Sequence, residues 1–279
     1  MNGMENEQYS VLMSVYHREK APCLKAAMDS IWIQSAQTND FVLVCDGPLN
    51  DELDEVIRDA EKNHPELHTV RLEKNGGLGN ALNIGIRECR NELVARMDSD
   101  DISYPDRCER QLAVFRQHPE LSICSGIVEE FTDSREQIEA RRVPPETQEE
   151  ILAFARKRNP FNHPCVMYRK SAVETAGGYK DFYLLEDYYL WLRMLQNGAV
   201  GYNLQEPLLW MRAGSEMYKR RAGWKYARSQ QKLFRYMKDS GFIDGKQYLV
   251  SVTARSASSM MPNGIREILF KTLMRKPRG

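Results

Sequence analysis

None of the six cysteines, Cys23, Cys45, Cys89, Cys108, Cys124 and Cys165, stands in a C-x-x-C pair. A zinc ribbon and a disulfide framework are disfavoured on that ground, and buried reduced thiols are expected. No apolar run approaches the ~18 residues of a membrane-spanning helix. Residues 1–9 are polar and acidic with no apolar core, so no secretory signal is expected. The common phosphate loops are missing too. There is no G-K-[ST], and no G-x-G-x-x-G after the first apolar segment. Internal repeats and low-complexity tracts are absent. So is net charge, since 39 Lys and Arg balance 39 Asp and Glu. What remains is ordinary: 279 residues, 42% of them hydrophobic. That suits one large domain or a domain with an appendage, and excludes disordered and collagen-like chains.

The zero balance hides an asymmetry. Residues 205–279 carry 16 Lys and Arg against 5 Asp and Glu, leaving 23 against 34 in the rest. An acidic body argues against a nucleic-acid partner. A basic end section fits a surface of negative charge. In segment 264–276, Ile265, Ile268, Leu269 and Leu273 share a helical face that Arg266, Lys271, Arg275 and Lys276 mostly avoid. Such a segment can lie in the headgroup plane of an anionic membrane.

Periodicity places strands at 9–15, 41–45, 69–72 and 93–97, with helices at 21–34, 51–63 and 77–89 between them. Three strand-to-helix steps imply a parallel sheet with helices on both sides. Farther on, helices are expected at 105–115, 185–196 and 214–238, strands at 122–131 and 166–168, and loops at 141–146 and 159–164.

Several constellations are candidates for chemistry. Arg96-Met97-Asp98-Ser99-Asp100-Asp101 ends an apolar strand, where ligands of α/β sheets bind. Aspartates two apart can point the same way and hold a hard divalent cation through oxygen. An acidic helix cap is the plain alternative. Lys74-Asn75-Gly76-Gly77-Leu78-Gly79 precedes a helix, whose N-terminus favours anions, though a tight turn explains it equally. Asp46 before Gly47 and Pro48 can accept from a base or ribose, or simply make a turn. Glu186 and Asp187 open a helix and point about 100° apart, so they can serve different roles. His163, between Asn162 and Pro164, reads on local grounds as structural. Lys219-Arg220-Arg221 before Trp224 suits a diphosphate or a solvated face.

Taken in order, these segments resemble a family 2 glycosyltransferase. The carrying stretches are 10–16, 46–48, 75–83, 95–101, 162–167 and 186–193, and the likeness runs from about Tyr9 to Trp224. It is nearest to bacterial enzymes of O-antigen and capsular polysaccharide synthesis, β1,3-galactosyltransferases among them. The resemblance implies an α/β protein of GT-A fold: a Rossmann-like, mostly parallel central sheet, flanking helices and a helical basic C-terminal section. The catalytic domain would span 1–240, with a nucleotide half at about 9–115 and an acceptor half at about 116–240. Residues 241–279 would be a basic appendage. Mn²⁺ or Mg²⁺ would sit on Asp98 and Asp100. Tyr16, Asp46, Lys74, Gly77, Arg96, Asp98 and Ser99 would line the UDP-sugar pocket, with Arg220 and Arg221 as a lid. Asp187 would be the base. Glu186, Asn162, His163 and Trp191 would meet an undecaprenyl-diphosphate-linked sugar acceptor, and the protein would sit on the cytoplasmic face of the bacterial inner membrane.

Two rival classes remain. A sugar-phosphate nucleotidyltransferase would need a glycine-rich loop after the first strand, and 14–20 contains no glycine. A non-catalytic sugar- or lipid-binding protein of the same fold would not need both acidic pairs.

Overall fold

A strand that is apolar on both faces must lie inside a sheet. In the computed structural model, which describes residues 8–213 and 223–260, three such segments form β1 (Tyr9–Val15), β2 (Asp40–Cys45) and β4 (Leu93–Asp98), and the half-buried β3 (Leu67–Arg71) makes the edge beside them. They pair in parallel in the order β3-β2-β1-β4. The crossovers contain α1 (Ala21–Trp32), α2 (Asp51–Asn63) and α3 (Leu78–Glu88). These seven elements lie where periodicity puts them, with ends shifted by about two residues at most.

The second half extends the sheet. Its elements are β5 (Ile102–Ser103), α4 (Arg107–Gln117), β6 (Leu121–Phe131), β7 (Ala140–Arg142), α5 (Gln148–Ala155), β8 (Met167–Arg169), α6 (Lys170–Thr175), α7 (Glu186–Gln196), β9 (Val200–Arg212), α8 (Gly223–Asp239) and α9 (Gly245–Met260). The order continues β4-β8-β6-β9-β5, with β7 on β6. β6 and β9 run with the first four strands, and β8, β5 and β7 run against them.

The expected loop at 141–146 needs correction, and 200–212, for which no element was expected, needs an account. The first opens with β7, where Arg141 meets buried Glu129 at 2.7 Å and Arg142 meets buried Glu130. The second, unassigned from sequence, is the longest strand. Asn203, Gln205, Glu206 and Pro207 break its apolar pattern. The register moves from Leu204 opposite Gly126 to Pro207 opposite Ile127, so the polar pair 205–206 bulges out unpaired.

Side-chain alternation along the strands feeds two cores. Val11, Met13, Phe41, Leu43, Ala95 and Met97 face α1, α2 and α4. Leu12, Val42, Val44 and Val94 face α3, α5, α7 and α8. Helix α3 lies close on the sheet: a Cβ on Gly85 would stand 2.3 Å from Leu12 Cδ1. Arg96 shares the parity of Val94 and enters the second core, 1% exposed. Helix α9, within the section 241–279, packs back on the body. Tyr248 and Val252 join the second core, and Arg255 stands 4.8 Å over the Phe234 ring.

Candidate active site

The parallel strands bring their C-terminal ends to one edge, and the sequence motifs gather there. Asp98, Asp100 and Asp101 leave the end of β4 with one oxygen of each within 4.8 Å of the others. Burial first, then Asp98 and Glu19, raise the Asp100 carboxyl to about 7. Burial and its two neighbours hold Asp101 well above the usual range. Like charges this close do not all ionise without a counter-ion. Arg96 supplies part of one, through its Nη2 to Asp98 Oδ1. A hard divalent cation fits the rest, since every donor is a carboxylate oxygen.

Neighbouring elements fix this cluster. The backbone N–H of Arg212, at the end of β9, donates to Asp101 Oδ1 at 2.9 Å. Ser99 Oγ donates to Glu19 Oε2 at 3.0 Å, tying β4 to the loop after β1. Sequence reading missed Glu19 and Arg212 as site residues, and included Asp101 in the candidate segment without giving it a role. The adjacency of β1 and β4 was the available signal for Glu19. Nothing local marked Arg212, which depends on the unrecognised strand β9.

Asp46 and the glycine loop prove to be one unit. Asp46 Oδ1 and Oδ2 accept from the backbone N–H groups of Gly76 and Gly77, at 2.7 and 3.0 Å. Both oxygens of this buried carboxylate are therefore engaged within the protein, and Asp46 shapes the loop. Gly77 caps α3 at φ 85°, a left-handed conformation that glycine adopts without strain. Lys74 is exposed beside it, and Tyr16 stands half open at 38%.

Glu186 and Asp187 open α7 across from β4. Burial, then Asp187, push Glu186 up to about 7, and Asp98 adds to the shift, which places the two acidic groups in one field. Asp187 Oδ2 accepts from Asn159 Nδ2 at 2.6 Å, and Oδ1 from the Tyr188 N–H at 2.6 Å. Leu184, two residues earlier, has φ 57°, a strained setting for a branched side chain beside a candidate catalytic group. Asn159 was placed in a polar loop from sequence but not among the site residues.

The residues expected to meet an acceptor divide. Trp191 needs correction: it is 0% exposed and packs edge-on against Phe161, His163 and Tyr179, so it lies in the core beneath the site and not on its surface. Half-buried Asn162 donates both amide hydrogens, to Gly126 O at 2.8 Å and Arg142 O at 3.0 Å. His163 Nε2 lies 2.9 Å from the Tyr179 hydroxyl. Burial, with Arg96 nearby, drives His163 well below its usual range and keeps it neutral. Arg220, Arg221 and the segment 264–276 lie outside the described residues.

An acidic cluster, a glycine-capped helix N-terminus and a carboxylate pair thus gather at one edge of the sheet. The family model for glycosyl transferase family 2 matches residues 10–177. The chain belongs to this family. Two relatives match along nearly their whole lengths. An amylovoran biosynthesis glycosyltransferase of Erwinia amylovora is 39% identical, over 94% of this chain and 98% of that protein. A UDP-Gal:α-D-GlcNAc-diphosphoundecaprenol β-1,3-galactosyltransferase of Escherichia coli is 34% identical, over 98% of each. Among solved structures, S. aureus TarS 1–349 in complex with UDP-GlcNAc aligns at TM-score 0.68 and 16% identity, covering 95% of this chain and 76% of that one. A Pyrobaculum calidifontis mannosyltransferase with GDP-Man and Mn²⁺ aligns at 0.63, also at 16%, covering 97% and 81%. The fold is GT-A, and this family 2 protein is a glycosyltransferase.

Proposed function

We propose that this family 2 enzyme transfers a hexose, galactose in the first instance, from a UDP-sugar to a hydroxyl of a lipid-diphosphate-linked sugar, with inversion. The observation that carries the reading is the Asp98–Asp100–Asp101 cluster at the end of β4, with Glu186 in the electrostatic field of Asp98. The likeness to the Escherichia coli galactosyltransferase supports the donor and the acceptor class.

Asp98 and Asp100 would hold Mn²⁺ or Mg²⁺, with Asp101 behind them. A bound ion supplies Lewis-acid stabilisation of the charge on the departing diphosphate. The protein residues do the rest. The glycine loop presents the N-terminus of α3 to negative charge. Tyr16 and Lys74 border the nucleotide. Asp187, held by Asn159, accepts the proton of the acceptor hydroxyl as that oxygen bonds to the anomeric carbon. The bond to UDP breaks on the opposite face, which inverts the centre. Glu186 accepts hydrogen bonds from the acceptor sugar.

The catalytic domain would be 1–240 and the basic section 241–279 its membrane-facing end, on the cytoplasmic side of the inner membrane. No helix among the described residues is long and apolar enough to cross a bilayer. The test is UDP release from a panel of UDP-sugars with Mn²⁺ and a synthetic GlcNAc-diphosphate-lipid. Acceptor-dependent turnover with one sugar supports the reading. Silence across the panel from folded protein refutes it.

A further inference from the structure

Helix α8 separates its charges from its apolar residues completely. Among its 17 residues are Lys225, Arg228, Lys232, Arg235 and Lys238, with Asp239 at the last position as its one acid. At ~100° per residue, Trp224 and the five cations fall within an arc of about 140°. Tyr226, Ala227, Leu233, Phe234 and Met237 fill the opposite side and are buried. All five cations are exposed, and Trp224 is 63% exposed. Among the described residues none of the five joins an ion pair. A helix face that only meets water usually mixes both signs, as α2 does with Asp51, Glu52, Arg58 and Lys62.

The stripe borders the catalytic segment. Lys225 Nζ lies 4.0 Å from the Tyr183 ring centre, and Lys232 Nζ 4.8 Å from that of Phe182. Ser229 Oγ donates to Tyr183 O at 2.9 Å. These rings precede Glu186 by three and four residues. Whatever anionic surface the stripe meets is therefore held beside the entrance to the acceptor side.

We propose that the outer face of α8 is the surface by which the enzyme lies on an anionic lipid bilayer, with Trp224 at headgroup level. The proposal rests on the lipid-linked acceptor reading, whose diphosphate sits in that plane. Complementary charge argues for a bilayer: five unpaired cations span about 20 Å, at 1.5 Å per residue, with an amphipathic aromatic at one end. Residues 261–279 add five Lys and Arg against one Glu to the same end of the chain.

The experiment uses the full chain with phosphatidylcholine vesicles, with and without 30% phosphatidylglycerol, in a sedimentation assay. Each cation near an anionic surface strengthens partitioning about fivefold. The triple variant Arg228→Ala/Lys232→Ala/Arg235→Ala should therefore lose about 100-fold on anionic vesicles, while binding neutral ones as weakly as the parent. Its thermal unfolding and its turnover of a water-soluble, short-chain GlcNAc-diphosphate acceptor should be unchanged. A parent that does not prefer anionic vesicles overturns the proposal. So does a triple variant that binds like the parent, while Lys271→Ala/Arg275→Ala/Lys276→Ala abolishes binding. Failure of the functional reading shows separately, as no turnover of the soluble acceptor by the parent.

Discussion

Asp100→Asn should make the metal-free protein more stable while abolishing its activity. The Asp100 carboxyl is raised from 3.8 to about 7. A carboxyl raised on folding binds its proton more tightly in the folded state. Its stabilising effect is full below about pH 4, and is lost as pH rises towards 7. Above pH 7 the folded protein carries the whole cost of the ionised group. At 1.36 kcal/mol per unit the bound is about 4 kcal/mol. Solvent reaching half-buried Asp100 reduces the expected gain to about 1–2 kcal/mol. The substitution removes that charge at nearly constant volume. At pH 8 with EDTA, the melting temperature should rise by about 2–8 °C, given about 2–4 °C per kcal/mol for a chain of this size. At pH 5 the gain should shrink towards zero. Mn²⁺ should stabilise the parent at pH 8 and leave the variant unmoved. Calorimetry of both proteins, at both pH values, measures each term. Equal melting temperatures at pH 8 without metal, together with an equal Mn²⁺ response, would refute the crowded-carboxylate account of this cluster.

Other outcomes follow from the same geometry. Asn159→Ala removes the 2.6 Å bond to Asp187; kcat should fall about tenfold, the worth of one hydrogen bond to a charge, with KM for the donor steady in steady-state kinetics. Burial and Asp187 push Glu186 up to about 7 without metal, so kcat/KM should rise as pH passes through its ionisation, at lower pH when Mn²⁺ is bound, and Glu186→Gln should flatten that limb. Asp46→Ala frees two backbone donors of the glycine loop; denaturant unfolding should show a loss of about 2–3 kcal/mol, and KM for the UDP-sugar should increase.

Most of the first half was readable because its signals are local. Apolar strands, helix periodicity and the D-x-D segment each announce themselves within a dozen residues. The second half depends on distant partners. β9 is invisible where its polar bulge at 205–206 interrupts the pattern. Even in the first half, the engagement of Asp46 by Gly76 and Gly77 escaped notice, because it joins residues 30 and 31 apart across one crossover. Trp191 illustrates the opposite error. It lies five residues after Glu186 in a motif that resembles the family's catalytic helix, yet its position on the helix turns it into the core. Sequence motifs identify which residues are near the chemistry, while helix phase decides which of them reach it.

The central claim is that the three aspartates and the Glu186–Asp187 pair act on one substrate in one cleft. The most direct measurement is UDP release from UDP-galactose, with Mn²⁺ and a GlcNAc-diphosphate-lipid, by the parent protein, Asp100→Ala and Asp187→Asn. The account predicts acceptor-dependent turnover by the parent, loss with EDTA, and loss of at least about 100-fold in both variants while each remains folded. Undiminished turnover in EDTA, or by either variant, would contradict it.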